Sequence, residues 1–181
     1  MAGLVDRMVR AAQLQPALYE EVEADAGATN QAMTVVVLAS LAAGVGAWSE
    51  HGATGVVISI LLSLGGWFIW AGLTYIIGTK LFPGPNTTAN LGELLRTIGF
   101  ASSPGVLRVF GALPIVGRFI GLAVAVWMLA GFVVAVRQAL DYPTTGRAVL
   151  VCVIGWIVYV GIIVGLGAML LGSAAMMTSG H

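Results

Sequence analysis

The chain has 181 residues and no net formal charge, with 59% hydrophobic against only 9% charged residues and a mean hydropathy of +0.97. A soluble domain carries about 25% charged residues, so this chain cannot cover a water-facing surface and lipid must replace water over much of it. The neutral balance gives no basic field for nucleic acid, and a single cysteine, Cys152, excludes an intrachain disulfide and a cysteine-based metal cluster.

The first 31 residues form an N-terminal arm that holds Asp6, Glu20, Glu21, Glu23 and Asp25. They show no signal-peptide pattern, so the arm is expected to stay with the mature protein. Residues 1–15 read as a short amphipathic helix. Leu4, Val5, Met8, Val9 and Ala12 fall on one face, and Asp6, Arg7, Arg10 and Gln13 on the others. Pro16 opens a second short helix, "PALYEEVEAD", because proline is tolerated in a first helical turn. Such an arm serves either as an interfacial anchor or partner-binding segment, or as a lid packed on its own bundle. Amphipathicity does not choose between them.

Four uncharged runs follow: Ala32 to Trp48, Val56 to Thr79, Phe119 to Val136, and Ala148 to Leu171. Each is long enough, with its flanks, to cross a hydrocarbon core of about 30 Å. "SEHGATG", "FPGPNTTANLGE" and "DYPTTGR" are the turns and loops between runs, by their Gly, Pro and polar content.

The segment Leu91 to Leu113 is ambiguous, because it contains Arg96 and Arg108. Each lies five residues from one end, within snorkelling reach of an interface. Pro104 would remove the hydrogen bond to the Phe100 carbonyl and kink a helix there, and Ser102, Ser103 and Gly105 offer ways to relax the freed backbone. The positive-inside rule places six basic residues against two whether this segment crosses or re-enters, with the N-terminus inside both times.

The order of features resembles the Yip family, named for interaction with small Ypt/Rab GTPases in eukaryotes, and is similar to its prokaryotic branch. The resemblance rests on "QPALYEEVEAD", the apolar run ending near Trp48, "LGELLRTIGFASSPGVLRVFGALPIVG" and "RQALDYPTTGRAVLVCVIGWIVY". It implies five membrane helices, a cytoplasmic N-terminus and a C-terminus on the opposite side of the cell membrane. Eukaryotic relatives act in vesicle trafficking and membrane shaping through partner proteins. The arm here is much shorter than theirs, which weighs against a Rab-type role.

The expected fold is therefore an all-α, five-helix membrane bundle over residues 32–172, kinked at Pro104. Its helices are expected at about 32–48, 54–80, 91–113, 115–137 and 147–172, after a cytoplasmic arm at 1–31 and before a tail at 173–181. No catalytic, metal or cofactor motif is present in the sequence. Glu50-His51 reads as a solvated turn, and "MLLGSAAMMTSGH" as a helix end with a frayed tail rather than a soft-metal site. The candidate lipid- or partner-binding residues are Glu93, Arg96, Pro104, Arg108, Arg137, Asp141 and Arg147. Glu93 and Arg96 are three apart and suit a helical pair. Arg137 and Asp141 are four apart, and Arg147 is placed to share Asp141 across the turn.

Gly161-x-x-x-Gly165, Gly117-x-x-x-Gly121 and Ala39-x-x-x-Ala43 allow close helix approach within the bundle or against another membrane protein. The expected role is a non-enzymatic scaffold or accessory subunit, with lipid, other membrane proteins or a second copy as partners. A permease or channel subunit with its site at the broken third helix is the alternative. A membrane enzyme is disfavoured, because too few polar residues converge.

Overall fold

The computed structural model describes residues 3–113 and 115–179, with side chains throughout except at 49–51, 163 and 166–179. Among the described residues seven α-helices follow in order: α1 (Leu4–Ala12), α2 (Pro16–Ala24), α3 (Ala28–Gly46), α4 (Trp48–Ile76), α5 (Leu91–Ala101), α6 (Val116–Ala139) and α7 (Thr145–Ser179). Every regular element among the described residues is helical. The stretches Ala28–Gly46, Gly52–Leu81, Val116–Ala139 and Thr145–Ile162 are long and apolar enough to cross a membrane.

α3 and α4 differ from their expected bounds for local reasons, and α7 runs on to Ser179, past its expected end at 172. α3 begins at Ala28 rather than 32, because Asp25 Oδ1 accepts from the Gly27 amide at 2.9 Å and turns the chain into the helix. α4 begins at Trp48 but breaks at Gly52, whose φ of 57° lies in the left-handed region that glycine enters without steric cost. Beyond Ile76 the helix widens into a π-turn, Ile77–Leu81. The hydroxyl of buried Tyr142 faces the Gly78 and Phe82 carbonyls at 3.2 and 2.7 Å, which satisfies groups that the widened turn leaves open.

The segment expected as one kinked helix over 91–113 is instead two pieces. The eleven residues of α5 stop at Ala101, and a ten-residue 3₁₀ helix, Ser103–Ala112, continues the path. Pro104 sits in the first turn of that 3₁₀ helix, where its missing N–H costs least. Ser103 Oγ donates to the Phe100 carbonyl at 2.6 Å, the acceptor that proline leaves open.

This broken rod runs parallel to α3. A methyl group on Gly99 would fall 2.8 Å from Ala32 Cβ, and one on Gly105 would fall 2.9 Å from Ala39 Cβ. One on Gly46 would strike the Arg108 carbonyl oxygen. The other neighbours are antiparallel. Gly131 of α6 lies against Ala101, and Gly105 against Met128. Trp70 and Gly66 of α4 lie against Gly155 and Tyr159 of α7. Five rods thus alternate in direction along one axis. The end that carries Lys80, Leu91 and Asp141 is called the arm end below, and the end that carries Gly46 and Ala112 the far end.

α1 and α2 form a hairpin that packs in the groove between α5 and α6. Leu18, Tyr19 and Val22 are fully buried there and belong to the same core as Leu94, Ile98, Phe100, Ala135 and Val136. The Trp127 indole N–H, half way along α6, donates to the Ala12 carbonyl at 2.6 Å. The tip of the hairpin therefore reaches the middle of the bundle rather than capping its end.

Candidate functional site

The junction between arm and bundle is where the buried charges gather. Arg96, on α5, is 8% exposed. Its Nε donates to the Val22 carbonyl at 2.8 Å, and its Nη2 donates to the Glu23 carbonyl. These are last-turn carbonyls of α2, which have no partner within their own helix and attract a cation. The expected Glu93–Arg96 pair does not form. The Glu93 carboxylate accepts from the Asn90 amide at 2.8 Å, and Asn90 Oδ1 accepts from the Glu93 amide at 3.1 Å, a reciprocal cap that starts α5.

A second cluster lies within the arm. Arg7, 4% exposed, reaches Glu21 Oε1 at 2.9 Å, Asp25 Oδ2 at 2.8 Å and Gln31 Oε1 at 3.1 Å. Arg10 holds the other Glu21 oxygen at 2.7 Å. Hydrogen bonds from Arg10 and Arg7 depress the Glu21 carboxyl, and the one from Arg7 depresses Asp25. Arg7 thus ties α1 to α2 and to the start of α3.

This arrangement corrects the amphipathic reading of residues 1–15. Arg7 and Ala11 turn inward with Leu4 and Met8, while Val5 and Val9 are 73% and 50% exposed. The carboxylates at 21 and 25 that neutralise Arg7 come from the next helix, so the face of α1 alone could not reveal its inward turn.

Glu23 stands differently. Burial raises its carboxyl to about 7, and the neighbouring Asp141, Glu93 and Glu20 push the same way against Arg96.

The remaining candidates separate. Arg137 folds back on the turn after its own helix, with Nη1 at 3.2 Å from Thr145 Oγ1 and Nε at 3.4 Å from the Tyr142 carbonyl. Arg147 donates to the Pro83 carbonyl at 3.3 Å. Neither joins Asp141 in an ion pair, and the four ion pairs among the described residues all lie in the arm. Arg137 and Asp141 do line one polar cleft of about 280 Å³ with Glu20 and Gln138, and Gln138 Nε2 donates to Glu20 at 2.5 Å.

Arg108 lies apart from this end. It lines a larger cavity of about 640 Å³ inside the bundle, with Trp67, Trp70, Phe132 and Tyr159 among its walls. The indole N–H of Trp70 is buried without a hydrogen-bond partner among the described residues.

No group of three His, Cys, Asp or Glu among the described residues is placed to hold a metal ion. The side chains of Glu50 and His51, the tail methionines and His181 lie outside the described residues.

An all-helical bundle with several membrane-length apolar rods defines a multi-pass membrane protein. The chain belongs to the Yip1 domain family, which matches residues 17–177. The match begins inside α2, so α1 is the part of the hairpin outside it. No curated protein and no solved structure matches the chain.

Arg96→Gln removes two charge-assisted hydrogen bonds, each worth about 1.5–3 kcal/mol. Amide hydrogen exchange over residues 16–24 is expected to lose at least about tenfold of its protection, while exchange in α6 changes little. Unchanged protection over α2 would show that Arg96 does not hold the arm.

Docking should also depend on pH through Glu23. Its carboxyl is raised from 4.5 to about 7 in the docked arm, so the docked state holds a proton that the undocked state releases between those values. Arm protection is therefore expected to fall as pH rises from about 5 to about 7.5, and Glu23→Gln should flatten that slope. Protection that rises across this window would contradict the assignment.

Proposed function

We propose that the chain is a non-enzymatic scaffold of the Yip type in the cell membrane. It crosses five times, with the N-terminus on the cytoplasmic side, from which the arm hairpin enters the groove, and the end of α7 on the opposite side. The fifth crossing is supported by depth. α5 and its 3₁₀ continuation keep company with α3 from Ala32 to Gly46, so a bilayer that surrounds α3 surrounds them as well. Neither piece spans by itself, but about 16 Å of α-helix and about 20 Å of 3₁₀ helix together exceed a hydrocarbon core of about 30 Å.

Orientation is supported by charge. With five crossings, Arg7, Arg10, Lys80, Arg96, Arg137 and Arg147 share the arm side, and Arg108 and Arg118 lie opposite. An excess of Arg and Lys of this kind marks the cytoplasmic side.

The observation that carries the scaffold reading is where the polar groups go. Near the arm end they are spent on holding the chain's own pieces: Arg96 on α2, Arg7 on Glu21 and Asp25, Arg137 and Arg147 on turns and loops. The outer surface offers apolar side chains instead, including Leu61 and Phe68 on α4, Phe119 and Leu122 on α6, and Ile157 on α7. Such faces meet lipid, a second copy or another membrane protein.

Extraction in mild detergent followed by native mass spectrometry is expected to give an assembly of fixed stoichiometry, either homo-oligomeric or with another membrane protein. A solute flux in proteoliposomes that Arg108→Gln abolishes would overturn the scaffold in favour of a permease.

A further inference from the structure

The cavity beside Arg108 is unlike the rest of the interior. Its volume of about 640 Å³ falls within the range of small-molecule sites. Its walls come from α3, α4, α5, the 3₁₀ helix, α6 and α7, so every rod contributes. The walls are mainly apolar, and Trp70 stands edge-on to Tyr159 with ring centres 6.2 Å apart. Ser40, Ser63 and Ser102 also line it, and the hydroxyl protons of Ser40 and Ser102 are directed to the Val36 and Ile98 carbonyls. Arg108 is the one charged group among the lining residues.

Two features describe the occupant. The first is polarity along the axis. Arg108 belongs to the last turns of the 3₁₀ helix, level with Gly46 at the far end, whereas Trp67, Ile98 and Cys152 lie toward the arm end. From Leu62 to Trp70 along α4 the apolar wall runs about 12 Å. A long apolar column with a cation at one end fits an acyl chain with an anionic head. The second feature is the mouth. Leu62, Leu129 and Trp156 line the cavity and are also 69%, 55% and 61% exposed on the outer face of the bundle. The opening is therefore lateral and apolar, which admits a molecule from the bilayer rather than from water.

We propose that this cavity binds one acidic phospholipid, with an acyl chain in the column and its phosphate on the Arg108 guanidinium. The second chain stays outside in the bilayer, past Leu62 and Leu129. A half-buried guanidinium beside apolar walls is costly without an anion, and a phosphate supplies both the charge and a fork-shaped set of acceptors. The inference rests on the membrane placement of the bundle and not on its scaffold role.

The test uses the full chain, stripped of lipid in detergent and titrated with dioleoyl phosphatidylglycerol or dioleoyl phosphatidylcholine under native mass spectrometry. One phosphatidylglycerol per chain is expected, retained at least tenfold better than phosphatidylcholine. Arg108→Gln should erase that preference and Arg108→Lys keep part of it. Ala125→Phe, which narrows the column with Arg108 intact, should weaken binding of both lipids. Thermal unfolding of each variant reports its folding, so any one of the substitutions can carry the test. Equal binding of the two lipids by the unaltered chain overturns the proposal. So does a preference that survives Arg108→Gln, or binding that Ala125→Phe leaves untouched. An assembly with another protein but without a lipid preference would remove this site and leave the scaffold standing.

Discussion

Buried backbone groups need partners, and Pro104 takes one amide out of the ladder in the middle of the rod that runs from Leu91 to Ala112. Much of the rest of the bundle is arranged around that break. Ser103 takes up the Phe100 carbonyl at 2.6 Å. α3 lies along one side so closely that Ala32, Ala39 and Gly46 leave no space for larger side chains. α6 closes another side through Gly131 against Ala101 and Met128 against Gly105. Small residues serve here because helices in lipid gain little from apolar attraction and hold by close backbone approach.

The arm completes this enclosure. Its hairpin fills the groove between α5 and α6, and Tyr19 is buried beside Gly131 with its hydroxyl on the Ala11 carbonyl at 3.2 Å. Arg96 then serves two ends. It closes the helix terminus of α2, and it compensates the surplus of carboxylates that Glu20, Glu23, Glu93 and Asp141 bring to one place. An arginine that the sequence sets in an ambiguous segment is in the structure the clasp between α5 and the arm. Val5 and Val9 remain on the outward side of the hairpin beside exposed Asp6, so α1 presents apolar surface while Arg7 faces inward.

Much of the fold was legible, because long uncharged runs permit few structures in a chain with this composition. Gly52 broke α4 near its expected start, and "DYPTTGR" made the turn between α6 and α7. The form of the broken rod was not legible, since a proline kink and a switch to 3₁₀ geometry make the same demand on the sequence. Candidate residues were chosen largely by charge, and charge alone assigned the wrong partners. Glu93 was matched with Arg96 by spacing, but the capping box from Asn90 to Glu93 competes for the same carboxylate and prevails at a helix start. Asp141 was matched with Arg137 and Arg147, whereas both arginines reach backbone carbonyls or hydroxyls of loops brought near by folding. Arg7 and its carboxylates went unrecognised because Glu21 and Asp25 are 14 and 18 residues away in the chain.

A five-crossing topology requires the broken rod to cross the bilayer beside α3. The direct measurement is sidedness. Cys152 is replaced by alanine, and a single cysteine is placed at Asn86 or at Ala112, both exposed at opposite ends of the bundle. Each variant is then labelled with a membrane-impermeant maleimide in intact cells and in inverted vesicles. With a crossing rod, Ala112→Cys is expected to be labelled only from outside and Asn86→Cys only in inverted vesicles. Labelling of both from the same side would mean that the segment from Leu91 to Ala112 enters and leaves by one face, and would contradict the five-crossing topology.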